Sequence, residues 1–178
     1  MIKNWITLSK KEVLRSITFK FSKAIRKSPT TNVQGEFDII ECYNSSSIIA
    51  LTSNNEVIMV RQYRHGEDKV TLELPGGVVP KGEDFKLAAV RELSEETGYS
   101  CNEVSFLGKV DNNPALLTNE AHIFLAKNCI LDGKQSLDPF EEIEIELVPI
   151  DHIEDMIKTG EIGHALTVAA FFFYSLNN

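Results

Sequence analysis

One uninterrupted stretch, Gly77 to Tyr99, dictates a loop, a helix and a stop. Pro80 and Gly82 keep its first residues out of regular structure. Phe85–Glu96 then runs without Gly or Pro, and Gly98 is placed for a left-handed C-terminal cap. Glu83 and Asp84 suit the N-terminal end electrostatically. At about 100° per residue, Glu92, Glu95 and Glu96 fall within an arc of about 100°. Leu87, Val90 and Leu93 occupy the opposite side and are the predicted core face. Like charges four apart on a helix repel by a few tenths of a kcal/mol. A solvated amphipathic helix can carry such a face. A hard divalent cation is the other reading, since Mg²⁺ takes carboxylate oxygens and bridges to substrate phosphates.

Composition narrows the class. A chain of 178 residues, 43% hydrophobic and 25% charged, has enough apolar material for one globular domain with an appended arm. The net charge of −8 argues against broad nucleic-acid binding. Residues 1–35 hold eight Lys and Arg against Glu12 alone, a net +7, which leaves −15 for the rest. This basic arm lacks the apolar core of a secretory signal. It is expected to pack on the acidic body or on a second copy of it. Cys42, Cys101 and Cys129 show no metal-binding spacing and fit a reduced, cytoplasmic protein. The apolar run Ala165–Leu176 is too short for a bilayer, so no membrane association is expected.

Periodicity predicts strands at Arg15–Phe21, Glu36–Tyr43, Ser47–Thr52, Glu56–Tyr63, Thr71–Leu74, Glu103–Val110, Glu120–Ala126 and Glu142–Val148. Ser53-Asn54-Asn55 reads as a hairpin turn and Ser28–Asn32 as a loop. Further helices are expected at His152–Lys158 and His164–Leu176. Many strands with few helices between them indicate the α+β class. The expected division is an arm over 1–35 and a globular domain over 36–178.

The box itself is more specific. Gly77, five residues, Glu83, seven residues, then Arg91-Glu92-Leu93-Ser94-Glu95-Glu96-Thr97-Gly98-Tyr99 resembles the Nudix box at every specified position. Chance agreement has a probability of about 10⁻⁷ at average residue usage. The resemblance implies a Nudix fold, an α/β/α sandwich with a mixed β-sheet, here with an N-terminal β-strand arm. It also implies hydrolysis of a nucleoside diphosphate linked to another moiety, with Mg²⁺ or Mn²⁺ as cofactor. By that resemblance Glu92 and Glu96 are the main metal ligands, Glu95 assists or binds a further ion, and the Gly76 carbonyl completes the set. Arg91 orients the carboxylates, and Glu83 supports the box.

Arg61-Gln62-Tyr63-Arg64 followed by Glu73-Leu74-Pro75-Gly76-Gly77 looks like the ADP-ribose pyrophosphatase group, which typically has Pro-Ala-Gly at the last three positions. Pro114 beyond the box, Thr118–Phe124 and the tail Met156–Val168 are similar to that group as well. Substrate contacts are therefore expected at Arg61, Arg64, Glu73 and Pro114. Arg64 is the residue expected to grip a phosphate, since a guanidinium fork matches its oxygens. An ion pair with Glu73 is its structural alternative. The histidines at 65, 122, 152 and 164 show no metal spacing and are assigned no chemistry. Trp5, Phe19 and Phe21 can stack on adenine or fill a core or interface.

The general base of this group is commonly a Glu on a loop well after the box. Gly133–Pro139 has loop composition and Ile143, Ile145 and Leu147 begin a strand. Glu141 at the junction is the first candidate, Glu142 the second and Glu120 the third. The expected reaction is ADP-ribose plus water to AMP and ribose 5-phosphate, by a homodimer paired through its N-terminal strands. Rival readings are another nucleoside-diphosphate sugar, a (d)NTP, or a non-catalytic nucleotide-binding domain.

Overall fold

In a computed structural model of the chain, residues 1–177 are described. The chain forms two compact units, one of Met1–Tyr43 with Asp111–Glu120, the other of Asn44–Val110 with Ala121 onward.

The first unit is an antiparallel meander of β1 (Ile6–Arg15), β2 (Phe19–Lys27) and β3 (Gln34–Cys42). The strand expected at Arg15–Phe21 straddles the β1–β2 turn instead. Apolar alternation continued across residues 16–18, where Ile17 is fully outside, so periodicity alone could not mark the corner. The arm's positive charge finds partners within its own sheet. Lys20 Nζ lies 3.0 Å from Glu41 Oε2, Lys23 Nζ 2.7 Å from Glu36 Oε1, and Lys10 also pairs with Glu41. Cross-strand opposite charges of this kind favour the pairing β2–β3. The sheet therefore runs past residue 35, because β3 supplies the acids.

The second unit is built on β4 (Ser45–Thr52), β5 (Glu56–Arg64), β6 (Lys69–Glu73), β7 (Gly76–Val78), β8 (Tyr99–Ser100), β9 (Glu103–Asp111), β10 (Glu120–Leu131) and β11 (Ile143–Pro149). The sheet order is β11-β5-β4-β10-β8, with β6 on β5, β7 on β4 and β9 on β10. The β4–β10 pair is parallel and the β5 pairs are antiparallel, so the sheet is mixed. Its helices are α1 (Phe85–Thr97), α2 (Ile153–Thr159) and α3 (Ala165–Leu176).

Strand alternation splits the core in two. Ile48, Ala50, Ile58, Phe124 and Ala126 pack with Ala89 and Leu93 of α1. Ile49, Leu51, Val57, Met59, Ile123 and Leu125 pack with Ile153 of α2 and Ala170 and Phe171 of α3. Helices thus cover both sheet faces, the sandwich expected of an α+β chain with this box. Most boundaries shift by a residue or two, with β5 continuing to Arg64 and α2 following a 3₁₀ turn at Ile150–His152, while β10 runs five residues beyond the expected end, to Leu131.

Helix α1 begins at Asp84, whose side chain accepts from the backbone of Lys86 at 2.9 Å and Leu87 at 3.1 Å. It ends at Gly98, where φ is 71° and the N–H donates to Ser94 O at 2.8 Å. The buried side meets the expected one at Leu93 but is rotated away from Leu87. Leu87 is 64% exposed, and the covered residues are Ala88, Ala89, Leu93, Glu96 and Thr97. The small alanines let the helix lie close on β4, and the rotation carries part of the acidic face into the interior.

Candidate active site

Glycines make room for that acidic face. A Cβ on Gly77 would stand 2.6 Å from the Glu92 carboxyl carbon, and one on Gly76 would stand 2.3 Å from Ser46 O. The Pro75-Gly76-Gly77 sequence, where the similar group has Pro-Ala-Gly, fits this close approach of β7 to β4 and α1.

Three carboxylates meet around Arg91. Its Nη1 donates to Glu92 Oε1 at 2.9 Å and Glu95 Oε2 at 2.8 Å, while Nε and Nη2 donate to Glu83 at 3.2 and 3.3 Å. The hydrogen bonds it donates to Glu83, opposed by burial and aided by Glu95 and Glu92, raise the guanidinium above its ordinary value. Among the described residues no three carboxylate, imidazole or thiol groups stand at the spacing of a closed metal site. The cation between Glu92 and Glu95 is Arg91.

Glu96 is the most confined acid of the box, 4% exposed, with Oε2 accepting from Gly76 N at 3.0 Å. Burial, only partly opposed by that N–H and reinforced by Glu92 and Glu141, pushes its carboxyl up to about 8. Glu92 is raised too, by burial against the pull of Arg91 and with the push of Glu95 and Glu141. A hard cation relieves such crowding, and carboxylate oxygens are the donors it prefers.

The opposite wall is a loop built onto the C-terminus of α1. The last carbonyls of a helix lack intrahelical partners. Here Gly133 N donates to Gly98 O at 3.0 Å, Ser136 N to Glu95 O at 2.8 Å, and Gln135 Nε2 to Glu96 O at 2.7 Å. Gln135 Nε2 also reaches Ile143 O at 3.1 Å, tying the loop's end to β11. Within the loop Glu141 Oε2 accepts from Asp138 N at 3.1 Å. The result is a polar cleft of about 470 Å³ bordered by Gly76, Arg91, Glu92, Glu95, Glu96, Arg64 and Glu141. Glu142 borders the neighbouring cavity, with Phe140 and Tyr63. Glu120, the third candidate base, is the first residue of β10 and does not border this cleft.

The remaining expected residues separate. On β5, Ile58 packs on the α1 side and Val57 and Met59 on the other, so Gln62 and Arg64 share the cleft's side. Arg61 points away from them and pairs with Glu146 and Glu161. Period two, overlooked when the four-residue run is read as one motif, is the reason. Pro114 lies in the first unit, bordering a pocket with Trp5 and Phe37. Those two rings meet edge to face at 5.4 Å.

Glu73 is 1% exposed and lies behind Arg64, not on the border of the cleft. Arg64 Nε and Nη2 donate to its two oxygens, both at 2.8 Å, and Thr71 Oγ1 donates at 2.6 Å. Burial alone would raise this carboxyl, but the bonds from Arg64 and Thr71 outweigh it and hold it below its ordinary value. Arg64 is thus clamped from behind while it borders the cleft. His164, expected to carry no chemistry, also reaches Glu73, with Nδ1 3.1 Å from Oε2. No sequence spacing marks that contact, because it joins α3 to β6.

Comparison with known proteins agrees with this geometry. The NUDIX domain model matches residues 44–171. A methanol dehydrogenase activator of Bacillus methanolicus is 32% identical over 142 residues, covering 78% of this chain and 76% of its own. An ADP-ribose pyrophosphatase of Bacillus subtilis is 29% identical over 140 residues, with the same two coverages. The crystal structure of an ADP compounds hydrolase superposes with a TM-score of 0.86 over 98% of this chain and 94% of that one, at 22% identity, which is a likeness of fold.

Proposed function

The chain belongs to the NUDIX domain family, and from that membership we propose that this pyrophosphohydrolase cleaves ADP-ribose with water to AMP and ribose 5-phosphate. The observation that carries the reading is the cleft, where buried carboxylates face an arginine fork held from behind. Glu92, Glu95, Glu96 and the Gly76 carbonyl would hold Mg²⁺ or Mn²⁺. A divalent cation held there would neutralise the diphosphate and lower the pKa of the attacking water. Arg64 presents its free N–H groups to a phosphate oxygen. Arg91 keeps Glu92 and Glu95 aimed at one another's side of the cleft. Glu141, across from Glu96, accepts the proton of the attacking water at a carboxylate oxygen.

We further propose a homodimer formed through the first unit. All ten residues of β1 are exposed, and Ile6, Leu8, Val13 and Leu14 each show about half of their surface. An apolar face of that extent is a mark of association.

A panel of ADP-ribose, other nucleoside-diphosphate sugars and nucleoside triphosphates, each with Mg²⁺ and with Mn²⁺, tests the substrate. Release of AMP and ribose 5-phosphate from ADP-ribose is expected. Turnover confined to triphosphates, or none at all, overturns the reading.

A further inference from the structure

An ionised carboxylate offers about four lone-pair positions, and a buried one needs them filled. Around Glu73, Oε1 accepts from Arg64 Nε at 2.8 Å and Thr71 Oγ1 at 2.6 Å, and Oε2 accepts from Arg64 Nη2 at 2.8 Å. The fourth position faces His164 Nδ1 at 3.1 Å. A bare nitrogen lone pair there would oppose the carboxylate, so Nδ1 carries the hydrogen. That single N–H is shared between Glu73 Oε2 and Thr167 Oγ1, which lies 3.0 Å from the same nitrogen, and Thr167 Oγ1 accepts in turn from Leu74 N at 3.3 Å. Burial, partly offset by Glu73 and aided by Arg64, keeps His164 below its ordinary value, so the imidazole is neutral near pH 7.

Arginine has five N–H donors. Glu73 takes two of them, which leaves three on a side chain that borders the cleft. Their direction depends on the plane of the Glu73 carboxylate. That plane depends on all four donors.

We propose that His164 is a positioning residue that completes the hydrogen-bond shell of Glu73 and thereby fixes the guanidinium plane of Arg64 for substrate phosphate. The inference rests on the reading of Arg64 as the phosphate grip. Its geometric half concerns Arg64 alone and is measurable without substrate.

The test compares three variants of the full chain. His164→Leu removes the donor, His164→Asn places an amide nitrogen where Nδ1 stands, and His164→Gln moves the amide one bond too far. In wild type the Arg64 Nε–H signal, assigned by its loss in Arg64→Lys, is protected from solvent exchange. With Leu it exchanges about tenfold faster, as expected when one partner of a buried acceptor is lost. With Asn protection returns, and with Gln it does not. In turnover the Leu variant raises KM for ADP-ribose about tenfold and leaves kcat within about twofold, the pattern of lost ground-state binding. Asn restores KM to within about threefold of wild type. Unchanged Arg64 exchange in the Leu variant, or an Asn variant no better than Gln, overturns the proposal. A wild type that fails to cleave ADP-ribose removes the substrate reading, while the exchange measurement still decides the role of His164.

Discussion

At the scale of single residues, the site is a contest between burial and charge. Glu96 gains one backbone N–H and loses nearly all its water. Its carboxyl is pushed up to about 8 in the folded chain from an ordinary value of 4.5. Between those two pH values the native state binds more protons than the unfolded state, so this group's contribution to stability falls as pH rises. Glu96→Gln removes the charge and keeps the volume. Without divalent cation, the melting temperature of the Gln variant relative to wild type should rise from pH 5 to pH 8. Groups remote from the cleft titrate alike in both proteins, so the difference belongs to Glu96 and the charges coupled to it, and parallel melting curves across that range would refute the burial argument. With Mg²⁺ the same variant should lose kcat by about 10²–10³ or more, the scale of a lost electrostatic stabiliser. Glu141→Gln should lower kcat by about 10²–10⁴ with KM little changed, whereas Glu142→Gln, bordering the adjacent cavity, should remain near wild type. If the two results exchange places, the base is one residue later in the loop.

At the scale of elements, α1 separates stability from chemistry. Asp84 caps its exposed end and Gly77 lies under Glu92 at the other side. Asp84→Ala should cost about 1 kcal/mol in denaturant unfolding and leave kcat/KM unchanged. Gly77→Ala forces a methyl group against the Glu92 carboxylate, so activity should fall at least tenfold, the scale of one disrupted buried carboxylate contact. Equal activity losses in both variants would mean that helix stability, not Glu92 placement, governs turnover. The helix was the most legible part of the sequence, because its cap, its stop and its acidic triplet are local signals. Its rotation was not legible. Alanines at 88 and 89 decide which side packs, and a pattern weighted toward Leu87 and Val90 points elsewhere. Strand β1 escaped notice because none of its residues is buried, so no core face marks it. The cleft's loop wall was legible as a loop, but Gln135 and Ser136 act through the helix-end carbonyls they reach, which only the fold brings within range. The same holds for Arg61, assigned with Arg64 and carried by strand alternation to Glu146 and Glu161.

At the scale of the whole molecule, the charge asymmetry of the sequence resolves into two acidic–basic ledgers of different kinds. The basic arm is matched within its own sheet by Glu36, Asp38 and Glu41. The body keeps its acids crowded in the cleft, a place for cations. Among the described residues no helix is long and apolar enough to cross a membrane. The dimer proposal belongs to this scale. Leu8→Asp with Val13→Asp on the open strand β1 should give a monomer by light scattering with melting little changed, since neither side chain is in a core. A doubly substituted chain of unaltered mass would contradict it. The most direct measurement is kcat/KM for ADP-ribose, GDP-mannose and dGTP, on wild type and Glu96→Gln side by side with Mg²⁺. ADP-ribose should be cleaved fastest, to AMP and ribose 5-phosphate, and the variant should be slower by about 10²–10³ or more on all three. A preference for dGTP, or a Glu96→Gln enzyme at wild-type rate, would contradict the account.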